Sequence, residues 1–197
     1  MSSNHYSQLI PILNSFWTEN YIENSMEVIK TKCLDKYLYD LCFDVFDLKL
    51  SKKETDAVAF RSAYVLEHIL KKDVDMRETL RRRIFHDFPM IKNESAKRHF
   101  CNIMLLLLNN KSESTDKIYP TKKEAEEIAE TCMTWIEKPK TKVAVIVNAM
   151  DVILKLKDYA EIDKEVISDL IFIIRKESSA GIECRIKKWK SVYGDFY

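Results

Sequence analysis

The run Ile103-Met104-Leu105-Leu106-Leu107-Leu108 puts apolar side chains at six consecutive positions, and six consecutive residues go round the whole circumference of a helix. No long side of such a helix can face water. The run is far shorter than the ~20 apolar residues that a helix needs to cross a bilayer, so its cover has to be protein. The stretch Asn93 to Asn110, NESAKRHFCNIMLLLLNN, is therefore expected to be a helix enclosed by other helices, around which the chain is organised.

The residue supply agrees that the neighbours are helices. With 2 Gly and 4 Pro in 197 residues, the chain lacks the breakers that hairpins, tight turns and phosphate-cradling loops require. Pro11, Pro89, Pro120 and Pro139 fall at expected helix starts or connections. Helical spacing recurs between them. Leu34, Leu38, Leu41, Val45 and Leu48 follow steps of three and four, as do Met76, Leu80, Ile84 and Phe88, and also Ala125, Ile128, Ala129, Cys132 and Ile136. Residues 1 to 20 carry enough apolar side chains for a short helix. Lys49 to Thr55 reads as a polar connection with Asp56 as the following N-cap. Thr121 with Glu124 reads as a capping box and Asp163 as a cap. Residues 111–118, KSESTDKI, are the expected flexible loop. Thr141 to Asn148 is apolar enough to imitate the first strand of a dinucleotide-binding unit, but no Gly follows it to approach a pyrophosphate. The helical period through Leu156 decides that segment.

Three of the helices share one spacing. Ala59, Ala63, Leu66 and Leu70 lie at i, i+4, i+7 and i+11; Ala96, Phe100, Ile103 and Leu107 repeat it, and Val145, Ala149, Val152 and Leu156 repeat it again. Helices of this kind alternate with others at a period of ~37 to 49 residues, the length of the two-helix units that bury their faces by stacking. The expected fold is all-α: a right-handed α-α superhelix of stacked antiparallel helix pairs in one domain, 1–197. Within it, 1–55 form N-terminal helices, 56–92, 93–138 and 139–178 form repeat pairs, and 179–197 form a C-terminal capping helix.

The segments Asp56-Ala-Val-Ala-Phe-Arg61-Ser-Ala63 and Asn93-Glu-Ser-Ala-Lys-Arg98-His-Phe are similar to the second-helix signature of HEAT-like and armadillo-like repeats, an Asp or Asn at the turn followed by an Arg and an apolar ladder. In the third copy Val147 replaces the Arg and Lys142 stands at the turn. The resemblance implies a solenoid whose Arg61 and Arg98 form a structural ladder, each paired with a turn group of a neighbour, and it implies an interaction scaffold for a protein or peptide. It also implies an alternative, because HEAT-like alkylpurine DNA glycosylases use a similar architecture with basic concave surfaces.

Function classes are bounded by charge and chemistry. Lys+Arg 32 against Asp+Glu 31 gives a formal net charge of +1, so no global field draws the chain to nucleic acid or membrane. Positive charge concentrates at Arg81-Arg82-Arg83 and at Lys187-Lys188-Trp189-Lys190, the latter beside Tyr193, Phe196 and Tyr197. These are the candidate binding residues: Arg81, Arg82, Arg83, Lys187, Lys188 and Trp189. Three successive arginines on a helix span a wide arc rather than one stripe, so a solvated face is the first expectation for them. An aromatic capping helix is the first expectation for the C-terminal group. His5, His68, His86 and His99 fall in no metal-ligand spacing, the Asp44-Asp47 and Glu126-Glu127 carboxylates lie on expected helix exteriors, and no catalytic residue, metal or cofactor is indicated. Five widely spaced cysteines without a CxxC pair read as reduced core residues, and with an N-terminus lacking a basic leader they point to a cytoplasmic protein.

Overall fold

The computed structural model describes residues 3–15, 20–43, 50–109, 119–176 and 179–194. All regular structure among them is helical. In order it comprises α1 (Ser3–Asn14), α2 (Tyr21–Thr31), α3 (Asp35–Leu41), α4 (Lys52–Lys72), α5 (Val74–Asp87), a 3-10 turn at Phe88–Met90, α6 (Ala96–Leu108), α7 (Lys122–Glu137), α8 (Val143–Leu156), α9 (Lys164–Arg175) and α10 (Ala180–Tyr193). The loop expected at 111–118 lies outside the described residues, as do Val45, Leu48, Phe196, Tyr197 and the Asp44-Asp47 pair. None of the helices is long and apolar enough to cross a membrane.

Contacts divide the chain into two units, 1–79 with 90–103 and 80–89 with 104–197. The division passes through α5 and α6 rather than between helix pairs. In the first unit α1, α2 and α3 all pack on α4; in the second α7 packs on α8 and α9, and α10 packs on α8 and α9.

The three ladders are what the packing buries. Ala59, Ala63, Leu66 and Leu70, then Ala96, Phe100, Ile103 and Leu107, then Val145, Ala149, Val152 and Leu156 are all at most 2% exposed. Alanine in the N-terminal half of each ladder, Ala59 and Ala63, Ala96, and Ala149, lets neighbouring helices approach, while Leu, Phe, Ile and Val fill the space beyond. Enclosure of α6 is nearly complete: Leu105, Leu106 and Leu108 are half-buried, and Arg98 is its one exposed residue. Segment 143–148 is helical, as its period requires.

Helix starts follow local chemistry, with two corrections. Thr121 and Glu124 form the expected reciprocal capping box, the Thr121 hydroxyl accepting from the Glu124 N–H and the Glu124 carboxylate accepting from the Thr121 N–H at 2.7 Å. Asp163 occupies the N-cap of α9. Asp56 does not cap α4. Ser51 does, through a second capping box with Glu54, so α4 begins inside the segment read as a connection. Asp56 lies within the helix instead. Its backbone carbonyl and carboxylate accept from Asn93 Nδ2 at 3.0 and 3.3 Å, while Asn93 Oδ1 accepts from Ser95 and Ala96 and starts α6. The second correction concerns Pro11, which stands inside α1. Proline removes the donor to the carbonyl one turn earlier, but that carbonyl belongs to Ser7, an exposed residue within reach of water, and Pro11's own carbonyl still accepts from Ser15 at 2.8 Å. α10 ends at Gly194, whose φ of +83° would strain any residue with a Cβ. Of the cysteines, Cys42, Cys101 and Cys132 are buried as expected, while Cys33 and Cys184 are exposed; all five are free thiols.

One buried polar cluster ties α4 to the first turns of α6. The Glu67 side chain is 5% exposed, and its carboxylate accepts from His99 Nδ1 at 2.7 Å, Lys71 Nζ at 2.5 Å and Asn102 Nδ2 at 3.2 and 3.3 Å. Donation to a carboxylate fixes the proton of His99 on Nδ1. The other ring nitrogen, Nε2, is buried with no hydrogen-bond partner among the described residues, and the ring packs against Phe60 and Tyr64. Burial would raise the Glu67 carboxyl; donors from His99, Lys71 and Asn102 outweigh it and hold the group at about 2, against an ordinary 4.5.

Candidate functional site

Asp151 is the one acid in α8, VAVIVNAMDVILKL, and an acid in so apolar a helix needs partners before it can be packed. α10 supplies them. Arg185 Nη2 donates to Asp151 Oδ2 at 2.5 Å and Trp189 Nε1 donates to Oδ1 at 2.6 Å. Arg185 and Trp189 are four residues apart, hence on one helical face. Trp189 is 1% exposed, so its indole closes the core beneath α10 while its N–H is spent on the carboxylate. Both oxygens of Asp151 are engaged and both donors are held, which makes a rigid polar floor between two helices.

Above that floor lies an open cavity of about 340 Å³. Its α10 wall is the single face formed by Arg185, Lys188, Trp189, Val192 and Tyr193, and its α8 wall carries Asp151 and Lys155, again four apart. Leu105 and Asn109 complete it. Three cations against one carboxylate leave two net positive charges on the lining. Lys155 and Lys188 are exposed, and among the described residues no hydrogen bond or ion pair engages either ammonium. Val192 is 61% exposed and adds apolar surface beside them. Burial, and then the nearby charge of Asp151, hold the Tyr193 phenol above its usual range, so it remains a neutral hydroxyl able to donate. Arg185 Nε is buried without a partner. The arrangement offers an anion two free ammonium groups, a fixed guanidinium and a phenol, next to apolar surface.

No family model, curated protein or solved structure matches this chain. The site is therefore read from its own chemistry.

Of the residues singled out in the sequence, Lys188 and Trp189 come together in this cavity, while Lys187 is exposed and does not line it. The three arginines go three ways, as successive positions on a helix must. Arg81 turns inward, 4% exposed, and Nη1 donates to the Leu107 carbonyl at 2.8 Å, near the C-terminal end of α6 where helix carbonyls lack intrahelical partners. Arg82 reaches Glu124 of α7 at 2.9 Å, and Arg83 turns back to Asp87 on its own helix at 3.3 Å. The cluster is not a bare basic face.

Arg61 and Arg98, expected as a paired ladder, have different surroundings. Arg61 donates from Nη1 to Asn14 Oδ1 at the end of α1 and thus ties two helices together. Arg98 is exposed, and among the described residues no hydrogen bond or ion pair engages it. The tie between the equivalent turns is made directly by Asn93 and Asp56, which leaves Arg98 nothing to satisfy. The contrast predicts that Arg81→Met costs about 2 kcal/mol, the scale of a buried charge-assisted hydrogen bond, whereas Arg98→Met stays within ~0.5 kcal/mol. Urea unfolding of the two variants checks it; equal losses would contradict the burial difference.

Four residues on which the site depends, Asp151, Lys155, Arg185 and Val192, were not among those expected from the sequence. The signal for Asp151 was available: a lone acid in an apolar helix, and downstream an Arg and a Trp spaced to meet it from one face. Lys155, one of several exposed lysines, carries no such signal.

Proposed function

We propose that the chain is a binding module for a protein or peptide partner, not a catalyst, and that its helices pair in the HEAT/armadillo-like manner of a stacked superhelix. The observation that carries the binding reading is the pair of unengaged ammonium groups, Lys155 and Lys188, held beside exposed Val192 over the rigid Asp151–Arg185–Trp189 floor. Cations left without partners beside apolar surface are what a complementary protein surface covers, with the charges giving orientation and the apolar area giving affinity. The repeat reading is supported by the three buried ladders of identical spacing and by the packing of α7, α8, α9 and α10 on their sequence neighbours. It gives the chain a cytoplasmic scaffold's role.

Burial of Arg81 and the pairing of exposed Arg82 and Arg83 with Glu124 and Asp87 disfavour the nucleic-acid alternative, since the densest positive run presents two compensated charges rather than three bare ones to phosphates. The test is parallel purification of the tagged chain and of its Lys155→Glu/Lys188→Glu variant from the same cells, with retained protein and nucleic acid both quantified. A protein retained by the parent and lost by the variant is the expected result. Retained nucleic acid whose affinity falls by about three powers of ten between ~50 and ~200 mM salt, the signature of about six phosphate contacts, would overturn it.

A further inference from the structure

We infer that the cavity between α8 and α10 recognises an acidic segment of the partner, two carboxylates with an apolar residue beside them. The inference rests on the binding-module reading and names its partner class. Charge complementarity carries it. The lining holds two net positive charges, and its cations are not equivalent: Arg185 is fixed by Asp151, whereas Lys155 and Lys188 stand on opposite walls with no hydrogen-bond or ion-pair partner among the described residues. One carboxylate per free ammonium neutralises the lining, and the volume of about 340 Å³ admits two or three side chains but not a folded element. An apolar neighbour on the ligand meets Val192, which is 61% exposed, and Leu105. Tyr193, protonated throughout the neutral range, donates to either carboxylate.

Asp151 has a second role in this scheme. Without it, Arg185 would project as a third free cation and Trp189 would bury an unpaired N–H. With its charge balanced by Arg185, Asp151 leaves the floor without net charge, so the uncompensated positive charge lies on the lysines of the walls and draws acidic groups there. The recognition is one of spacing as well as sign.

The experiment presents the full chain, the Lys155→Glu/Lys188→Glu variant and the Lys155→Gln/Lys188→Gln variant to a displayed library of ten-residue random peptides, followed by fluorescence anisotropy on the enriched peptides. Both lysines are exposed, and among the described residues no hydrogen bond or ion pair engages their ammonium groups, so thermal melting of the variants should match the parent and serves as the folding control. The expected result is enrichment of paired Asp or Glu around an apolar residue, with affinity falling on the order of tenfold in the Gln variant and further in the Glu variant, about 1.4 kcal/mol for each tenfold step. Enriched peptides without acidic bias, or acidic peptides bound equally by all three proteins, would overturn the inference and leave the binding-module reading standing. Capture of no peptide would overturn both. A single-stranded oligonucleotide that displaces the peptides at lower concentration than they displace one another would assign the cavity to nucleic acid instead.

Discussion

Glu67→Gln lowers the melting temperature of the chain by about 10 °C at neutral pH. The carboxylate accepts four hydrogen bonds in a site where its side chain is 5% exposed. The amide keeps one acceptor and turns a donor toward His99 and Asn102. Removing one member of a buried ionic cluster costs about 3–5 kcal/mol, and each kcal/mol is worth roughly 2–4 °C in a chain of this size. The pH dependence carries the sign. The folded carboxyl titrates at about 2 and the ordinary one at 4.5, so the unfolded chain binds the proton first on acidification. The contribution is therefore complete above 4.5 and lost as pH falls toward about 2, an amplitude of about 3 kcal/mol. Calorimetric melts of parent and variant between neutral pH and that range should converge on the acid side. A constant gap would place the cost in packing rather than in charge, and no gap at neutral pH would show that the cluster is not closed.

That cluster also marks where legibility in the sequence ends. Glu67 stands between Leu66 and His68 on a helix whose apolar ladder is plain, and nothing local distinguishes it from a solvated glutamate. Its partner His99 lies 32 residues on, in a helix whose dominant signal is apolar. The pairing exists only once α4 and α6 are packed, because periodicity reports which face is inward and not which two inward polar groups will meet. The ladders were readable for the complementary reason: Ala, Leu, Phe and Ile at i, i+4, i+7 and i+11 state their burial without reference to a partner. Caps were readable where side chain and backbone lie within one turn, as at Thr121 and Glu124. The start of α4 differs from the one expected because Ser51 and Glu54, inside the segment expected to be a connection, close a capping box ahead of Asp56. Equivalence in spacing to Arg61 does not by itself create an acceptor for Arg98, since Asn93 meets Asp56 directly. In the candidate site the aromatic basic segment was legible as a concentration of function-bearing residues, but its division into Trp189 in the core, Lys188 at the cavity and Lys187 outside it follows from the face α10 turns to α8.

Trp189→Ala is expected to destabilise the second unit by about 3–5 kcal/mol, the range for deleting a fully buried aromatic side chain. Two milder variants apportion that loss. Trp189→Phe keeps most of the buried ring, removes the donor to Asp151 and leaves a small void, so its cost should be at least the ~1.5–3 kcal/mol of a hydrogen bond to a charged acceptor. Asp151→Asn keeps a carbonyl oxygen for Trp189 but takes the counter-charge from Arg185, raising the positive charge of the cavity lining by one. It should be less stable than the parent and yet bind the acidic peptides more tightly, because Arg185 becomes a third uncompensated cation. Urea unfolding read by tryptophan fluorescence, paired with anisotropy titrations, measures both quantities on the same samples. Stability and affinity falling together in Asp151→Asn would mean that the floor acts only by holding the walls in place. A fall in one and a rise in the other would separate the part of Asp151 that builds α10 onto α8 from the part that sets where an anion can rest.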